Sequence, residues 1–425
     1  MAHGTHTTIE TLSHRLLQRW VPKWYEAFSV PGTGGFYERL GHSFKPVLTG
    51  QRRLVTQCRQ LSVYSHALVQ GTQRDFPGLA DHFEFIVRTY NIAETGGWIF
   101  SCDDDGHPLD TDYDLYTLSF AIFAMAHYFQ ASGDECARVY ARKTLDFIDS
   151  RFRMAGLSGF VERLDNTLKK RDQPRRHESH MHLLEACLFA VQIFHDLSYM
   201  KMADEIVDLF RNYFYDAENN LLSEYFTDDL KPMAKDGKII TEPGHYCEWI
   251  WLLKKHAGTS GNNTRYDDLC KPMLEWASTK GWDPKYGGIY DELELSGAII
   301  CDTKRLWPLS EALKANALML DSGVNKKAVK NRIKKMVTVF RDHYMEERGF
   351  WTEWLGCDLS RHTDYMPGTS PYHVYFGIME TRDVLNKRGK TCSLVSRPQI
   401  AFYRFRRSLS NIIRDIRLGL KKRQT

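Results

Sequence analysis

Five side chains that could transfer protons or stabilise charge stand in stretches that otherwise resemble apolar helix: Arg59, His182, His245, Glu311 and His373. Histidine has a pKa of about 6.5, so it can accept or donate a proton at neutral pH. Arginine is permanently charged and planar, and it can hold an oxygen atom that gains negative charge. A base beside such a cation suits proton transfer at a carbon next to a carbonyl group.

The five residues belong to a repeated pattern in the chain. Its motif is an apolar or aromatic residue that follows glycine or a turn and has an acid soon after it. The six copies are GGFYERL at Gly34, GGWIFSCDDDG at Gly96, SGFVERLD at Ser158, NNLLSEYF at Asn219, YGGIYDEL at Tyr286 and RGFWTEWL at Arg348.

The copies are evenly spaced. Aligned on Phe36, Trp98, Phe160, Leu222, Ile289 and Phe350, they are 62, 62, 62, 67 and 61 residues apart. The residues 22 or 23 positions beyond these anchors are Arg59, Phe120, His182, His245, Glu311 and His373. A lone histidine in an apolar helix is usually a core residue, but several ionisable groups at one repeat position favour a shared functional site.

The segments between the motifs have helical periodicity. Apolar residues recur three and four positions apart in stretches such as Leu115–Phe129 and Tyr199–Phe214. Two helices fit in each period, which gives about twelve helices in all. The sequence therefore predicts an all-α (α/α)6 barrel of six helical hairpins over residues 1–390, with an open helical solenoid as the alternative.

Local sequence places three of the candidate residues near helix starts. Proline stands two residues before His245 and His373 and three residues before Glu311. Because proline is favoured at the first helical position, we expect all three side chains in the first turn, at one mouth of the barrel. Glu248 lies one helical turn after His245, so we expect it to orient that imidazole and stabilise its charged form.

These segments resemble the N-acylglucosamine 2-epimerase superfamily, which includes mannose isomerases and cellobiose 2-epimerases. The resemblance covers roughly residues 10–390 and is carried by the GGFYERL opening and by the segments TQCRQL, LYTLSFAIFAMA, HMHLLEA, EPGHYCEW, RLWPLSEALKA and SPYHVYFGIME. It implies an (α/α)6 barrel that works without a metal ion or a redox cofactor.

The resemblance also implies roles for individual residues. Arg59 would hold the sugar oxygens, and His245 and His373 would be the acid–base pair. His182 would be a further catalytic residue, and Glu248 would be the partner of His245. The residues implied to line the sugar pocket are Tyr116, Trp307 and Glu311.

The chain departs from the family pattern in places. Glu178 and Ser179 stand where relatives often have Asn-Pro, and Lys235 and Lys238 are the nearest cations where an arginine often precedes the PGH element. The Pro-Tyr-His form at His373 favours the mannose isomerase branch over the epimerases.

The chemistry implied is removal of the proton at C2 of an open-chain aldose, through an enediolate. We expect an unphosphorylated monosaccharide substrate and, as the preferred reaction, isomerisation of D-mannose to D-fructose. N-acylglucosamine or other sugar 2-epimerisation is the alternative. Three other functions remain open: a zinc-dependent sugar-phosphate isomerase using the three histidines, a glycoside hydrolase using Glu248 and Glu311, and a non-catalytic sugar-binding module.

Charge is unevenly distributed along the chain. The net charge is +4, but nine Lys or Arg residues against Asp415 alone give the segment from Arg397 to the end a charge of +8. Residues 391–425 are predicted to form a basic amphipathic helix that contacts the barrel, an anionic membrane or a protein partner. No basic groove indicates nucleic-acid binding. Without an apolar leader at the N-terminus we expect a cytoplasmic protein, and the oligomeric state stays open.

Overall fold

The structure is a computed structural model that describes residues 2–72 and 75–387, excluding the side chains of residues 2–7 and 387. The predicted tail, residues 391–425, lies outside the described residues. None of the helices in the described part of the chain has both the length and the apolar composition that crossing a bilayer requires.

Helices dominate the described part of the chain. They are α1 (Ala2–Arg15), α2 (Val21–Phe28), α3 (Leu54–Val69), α4 (Leu79–Tyr90), α5 (Leu115–Ser132), α6 (Glu135–Arg151), α7 (His177–Phe194), α8 (Leu197–Leu209), α9 (Pro243–Thr259), α10 (Asp267–Thr279), α11 (Leu306–Met319), α12 (Lys326–Val339) and α13 (Pro371–Lys387). A π-helical turn, Leu16–Trp20, joins α1 and α2 into one helix, and similar turns, Phe210–Phe214 and Phe340–Tyr344, extend α8 and α12. The described chain therefore contains the twelve helices that the periodicity predicts.

The helices form two concentric rings. Helices α3, α5, α7, α9, α11 and α13 form the inner ring, in which each helix packs on its two neighbours, and α13 packs against α3. The remaining helices surround them, and each packs on the inner helix next to it in the chain; α1 packs on α13. Contact of the last inner helix with the first closes the ring, which confirms the (α/α)6 barrel and excludes the open solenoid.

Short strands connect successive repeats at one mouth of the barrel. They are β1 (Arg39–Gly41), β2 (Arg52–Arg53), β3 (Asn91–Ile92), β4 (Gly97–Trp98), β5 (Ser101–Cys102), β6 (Pro108–Asp110), β7 (Tyr113–Asp114), β8 (Arg163–Leu164), β9 (Arg175–Arg176), β10 (Tyr215–Asp216), β11 (Leu221–Leu222), β12 (Tyr225–Phe226), β13 (Ile240–Thr241), β14 (Glu292–Glu294), β15 (Ile299–Cys301), β16 (Lys304–Arg305), β17 (Trp354–Leu355) and β18 (Tyr365–Pro367).

The strand before each inner helix pairs, antiparallel, with a strand of the adjacent repeat's motif. The pairs are β2 with β5, β7 with β8, β9 with β12, β13 with β14, β16 with β17, and β18 with β1. The last pair, with Arg39 opposite Pro367, joins the sixth repeat to the first.

One anchor of the sequence alignment is corrected by this geometry. Trp351, not Phe350, bridges the preceding helix end as Phe36 does in the first repeat, so the final spacing is 62 residues rather than 61.

The acid of each motif has a structural task. The carboxylates of Glu38, Glu162, Glu224 and Asp291 each accept a hydrogen bond from a backbone N–H at the start of the next inner helix. Such bonds satisfy donors that a helix N-terminus leaves unpaired, so the repeated acid fixes where each of these inner helices begins.

The motif glycine makes room for a buried cation in the third repeat. The guanidinium of Arg175, which is buried, donates to the carbonyl oxygens of Ser158, Phe160 and Asp228. A Cβ atom on Gly159, where φ is +76°, would lie 2.4 Å from Nη2 of Arg175. Glycine is required here both for the left-handed backbone and for the approach of the guanidinium.

We predict that Gly159→Ala lowers the free energy of unfolding by about 3 kcal/mol, because the backbone strain of about 1–2 kcal/mol adds to the loss of the Arg175 hydrogen bonds. Gly156→Ala is the matched control, since its φ is +75° and its Cβ would meet no atom within 4 Å. Its free energy of unfolding should fall only by the backbone strain. Urea denaturation measures both variants, and equal losses would contradict the proposed role of the cation.

Candidate active site

The residues at the shared repeat position all lie on inner helices near the strand-bearing mouth of the barrel. His245 and His373 are the third residues of α9 and α13, so both occupy a first turn as predicted. The prediction is wrong for Glu311. Helix α11 begins at Leu306, two residues before the proline, so Glu311 is the sixth residue and lies in the second turn.

His245 pairs with Glu224, not with Glu248. Its Nδ1 lies 2.9 Å from Oε2 of Glu224, the motif acid of the fourth repeat, and both side chains are buried. The predicted partnership of His245 with Glu248 is therefore wrong. The sequence did contain a signal for Glu224, because it occupies the motif position whose acids cap the inner helices.

The pairing sets the charge of His245. Burial opposes a charged imidazole, but the carboxylates of Glu224 and Glu242 outweigh it and raise the pKa of His245 to about 10. Burial also opposes the charge of Glu224, yet His245 and His177 hold the pKa of that carboxyl well below its usual value. His245 is thus an imidazolium at neutral pH.

Glu248 lies one turn deeper in the barrel, beside a different histidine. Its Oε1 is 3.8 Å from Nε2 of His182 and accepts no hydrogen bond. Burial, reinforced by the charge of Glu311, raises the pKa of Glu248 well above the usual range of a glutamate, although Lys314 opposes this. Glu248 is therefore a neutral carboxylic acid at neutral pH.

His373 has a partner of a different kind. Its Nδ1 lies 3.0 Å from Oε1 of Glu311, whose other oxygen is 2.5 Å from Nζ of Lys314. Glu311 is completely buried, so it supports His373 from behind. This placement differs from the predicted one, in which Glu311 lines the sugar pocket.

Lys314 neutralises the carboxylate that His373 faces. Burial, followed by the positive charges of Arg59 and Lys314, lowers the pKa of His373 well below 6.5. His373 is therefore a neutral imidazole whose Nδ1–H donates to Glu311, which leaves the lone pair of Nε2 free to accept a proton.

Arg59 lies among aromatic rings. Its Nη2 donates to the hydroxyl of Tyr116 at 2.5 Å, and its guanidinium carbon is 4.2 Å from the ring centre of Phe120 and 4.9 Å from that of Tyr372. Within the described residues it makes no ion pair with a carboxylate, and its buried Nε has no hydrogen-bond acceptor. Its charge is thus available to an oxygen of the substrate.

Two predicted residues connect these groups. Trp307 is half-buried, with its ring centre 4.8 Å from that of His245 and 5.8 Å from that of His373, so it lies beside both histidines. His182 packs edge-on against Tyr116 at 5.0 Å, and its Nδ1 lies 3.2 Å from Glu185. Burial lowers the pKa of His182 although Glu185 opposes this.

Several residues at the mouth were not identified as site residues from the sequence. Glu185 accepts a hydrogen bond from Tyr372, Arg176 pairs with Glu178, and Arg305 pairs with Glu242 at 2.6 Å. They were not assigned a role in the site because they lie outside the shared repeat position.

Two further cations near the site, Lys304 and Arg305, are already paired with carboxylates and so are less available to a phosphate group. Lys304 is completely buried and lies 2.8 Å from Asp283. Arg305 also bonds Asp291 and lines a cavity of about 330 Å³ with Trp354, Glu292 and Thr363. Lys235 and Lys238, the cations nearest to the PGH element, are exposed.

The zinc ligand set considered from the sequence does not assemble. Nδ1 of each histidine faces a different carboxylate: Glu185 for His182, Glu224 for His245 and Glu311 for His373. Among the described residues, three groups bring three metal-capable side chains within 4.8 Å, and none contains two of these histidines. The groups are His177–Glu224–His245, His182–Glu185–Glu248 and the mostly exposed Asp103–Asp105–His107.

Comparison with known proteins identifies the class. A family model for N-acylglucosamine 2-epimerases matches residues 35–377. A mannose-6-phosphate isomerase of Rhizobium meliloti is 28% identical over 86% of this chain and 95% of its own length, and a cellobiose 2-epimerase of Bacteroides fragilis is 24% identical over 68% and 76%. A solved D-mannose isomerase superposes with a TM-score of 0.79 at 21% identity, covering 90% of this chain and 98% of its own.

The barrel, its site and these relatives together define an enzyme that isomerises or epimerises sugars at C2. More particularly, the chain belongs to the N-acylglucosamine 2-epimerase family.

The two carboxyl groups near His245 should respond differently to amide replacement. Glu224→Gln should lower the free energy of unfolding at pH 7 by about 3 kcal/mol or more, because it leaves His245 buried without its counter-ion. This contribution is complete below the unfolded pKa of histidine, about 6.5, and is lost as pH rises through about 10.

Glu248→Gln should instead cost less than about 1 kcal/mol at pH 7, because it replaces a neutral acid by a neutral amide. The raised pKa of Glu248 means that the wild type loses stability as pH rises above about 4.5, and the variant should lose less over the same range. Denaturation from pH 5 to pH 8 measures both variants. A larger loss for Glu248→Gln would restore the pairing expected from the sequence.

Proposed function

We propose that the chain is a D-mannose isomerase that converts the free sugar to D-fructose through an enediolate, without a cofactor. The observation that supports this most strongly is the different surroundings of its two site histidines: His245 faces the carboxylate of Glu224, whereas His373 faces that of Glu311, which is paired with Lys314. His245 is an imidazolium, His373 is a neutral base, and Trp307 lies beside both. Arg59 supplies a cation that no carboxylate of the described residues pairs with.

Each step of the reaction has a residue to perform it. Nε2 of His373 removes the C2 proton of the open-chain aldose, which gives an enediolate, and the oxygen at C1 of this intermediate then takes a proton from His245. Arg59 stabilises the negative charge that develops on the enediolate oxygens. His373 then returns its proton to C1 as His245 recovers one from the oxygen at C2, so that the ketose forms and both histidines regain their starting states.

Apart from Arg59, the charges around the site favour a sugar without phosphate. Arg176, Arg305 and Lys304 are each paired with a carboxylate, and the charged Glu178 faces the same space as His245 and His182. A phosphate dianion would have to displace these carboxylates, whereas neutral hydroxyl groups can hydrogen-bond to them. The relative named as a mannose-6-phosphate isomerase makes the phosphorylated sugar a necessary comparison substrate.

Epimerisation at C2 is the second candidate, and the protonated state of His245 favours it. An imidazolium on the opposite side of the enediolate from His373 could return a proton to C2 from that side and form the epimer. The same residues thus support both outcomes, and the product distinguishes them.

The first test is NMR of D-mannose with the enzyme in D2O, with and without a chelator. We expect fructose with deuterium incorporation and no effect of the chelator. Glucose without fructose would instead establish a 2-epimerase, and loss of activity on chelation would contradict a reaction performed by side chains alone. Mannose 6-phosphate, N-acetylmannosamine and cellobiose are the comparison substrates, and inertness toward all of them would favour a sugar-binding module.

His373→Asn tests the base. The asparagine amide can still donate to Glu311, but it cannot accept the C2 proton. We expect deuterium exchange at C2 to fall by about 10²–10⁴-fold, the usual contribution of general base catalysis. His107→Asn, at an exposed histidine, is the control. Exchange that persists at the wild-type rate in His373→Asn would exclude His373 as the base.

Arg59→Lys tests the cation. Lysine retains the charge but loses the planar guanidinium that contacts Tyr116 and the ring of Phe120. We expect kcat for D-mannose to fall by about 10²-fold, with a smaller change in KM, because the interaction strengthens as the enediolate forms. A rise in KM with unchanged kcat would mean that Arg59 binds the ground state only.

A further inference from the structure

A chain of buried polar contacts extends from the site to a tryptophan that the proposed reaction does not use. Nε1 of Trp249 donates to Nδ1 of His177 at 3.1 Å. Nε2 of His177 lies 3.2 Å from Oε2 of Glu224, and Nδ1 of His245 lies 2.9 Å from the same oxygen. Trp249 and His177 are completely buried.

The indole fixes the tautomer of His177. An indole N–H can only donate, so Nδ1 of His177 must present its lone pair. The proton of the neutral ring therefore lies on Nε2, the atom that is 3.2 Å from Oε2 of Glu224. Trp249 is itself held in place, because its ring stacks on Phe210 with centres 4.2 Å apart.

Two imidazoles share one carboxylate oxygen, so either could have become its imidazolium partner. A second proton on His177 would have to bind Nδ1, and the N–H of Trp249 occupies that position. His245 meets no such obstacle. Burial also lowers the pKa of His177, although Glu224 opposes this.

We propose that Trp249 and His177 are positioning residues for the site: Trp249 prevents protonation of His177 and thereby reserves the negative charge of Glu224 for His245. The inference concerns which histidine carries the proton, and it rests on the proposed function only where catalysis is concerned. Neither residue is placed in contact with the substrate.

Other charged groups face these two imidazoles and are the same in every variant below. Glu178 and His180 belong to α7, and Arg176 belongs to the strand before it. Glu242 belongs to the segment before α9 and pairs with Arg305 of β16. A change in the histidine titrations that is seen only in the Trp249 variant can therefore be assigned to the lost indole N–H group.

The test is NMR titration of the full chain labelled in its histidine rings, with His177 and His245 assigned through His177→Gln and His245→Gln. In Trp249→Phe we expect the proton affinity of His245 to fall at least tenfold and that of His177 to rise, because Nδ1 of His177 becomes free to accept a proton. Trp98→Phe is the matched control. It removes another buried indole N–H, which donates to Thr144 at 2.7 Å in a different repeat, and it should leave both titrations unchanged.

His177→Gln covers the case in which Trp249→Phe does not fold. The glutamine amide can accept from Trp249 and donate to Glu224, but it cannot take a proton, so His245 should remain an imidazolium at neutral pH. Three results would each overturn the proposal. The first is equal titration of His245 in wild type and Trp249→Phe. The others are a doubly protonated His177 in the wild type and loss of the His245 proton in His177→Gln.

Activity provides a separate readout. If the enzyme isomerises D-mannose, the alkaline limb of kcat should move to lower pH in Trp249→Phe, with KM little changed and with no movement in Trp98→Phe. An unmoved limb in an active Trp249→Phe would also overturn the proposal. If the wild type does not turn over D-mannose, the proposed function fails, and the NMR titration still decides the roles of Trp249 and His177.

Discussion

The chemistry of this site depends on whether the carboxylate behind each histidine is neutralised. Glu311 shares its charge with Lys314 at 2.5 Å, so His373 faces an ion pair and stays neutral. Within the described residues Glu224 has only His245 and His177 on its free oxygen, so its full charge acts on His245. In a buried site, this difference separates an acid from a base that are the same residue type.

The barrel makes this arrangement possible by stacking its inner side chains in layers. His182, Glu311 and His245 lie at the shared repeat position of their helices, and the residue three positions further along each helix lies one turn deeper. Lys314 of that deeper layer contacts Glu311. Glu248, at the equivalent position of α9, has no lysine or arginine in an ion pair with it within the described residues, and burial raises its pKa. The ring of strand pairs and capping acids fixes where most of the inner helices start, and so sets the height of these layers.

Much of the fold could be predicted from the sequence because it depends on periodicity. The even spacing of the motifs required six similar units, and apolar spacing within each unit required two helices. The position of Glu311 differs from the prediction because α11 starts at Leu306, two residues before Pro308, so the proline is not the first helical residue. The signal was present in part, since Lys304 and Arg305 before Leu306 occupy the strand position that Arg175 and Arg176 occupy before α7.

The site was predictable as a set of residues but not as a set of pairs. Equivalence of repeat positions identified His245 and His373, since it depends on counting alone. The partner of His245 could not be found this way, because Glu248 is close in sequence while Glu224 comes from a different segment and meets His245 only when the motif folds over the helix start. Local spacing favoured the wrong carboxylate, and tertiary geometry decided the pairing.

The central claim is that the two histidines carry opposite charge in the resting enzyme. Neutron diffraction from a crystal grown in D2O near neutral pH would locate their deuterium atoms directly. The account predicts deuterium on both ring nitrogens of His245 and on Nδ1 alone of His373. A neutral His245, or a doubly protonated His373, would contradict it and would require a different acid and base for the reaction.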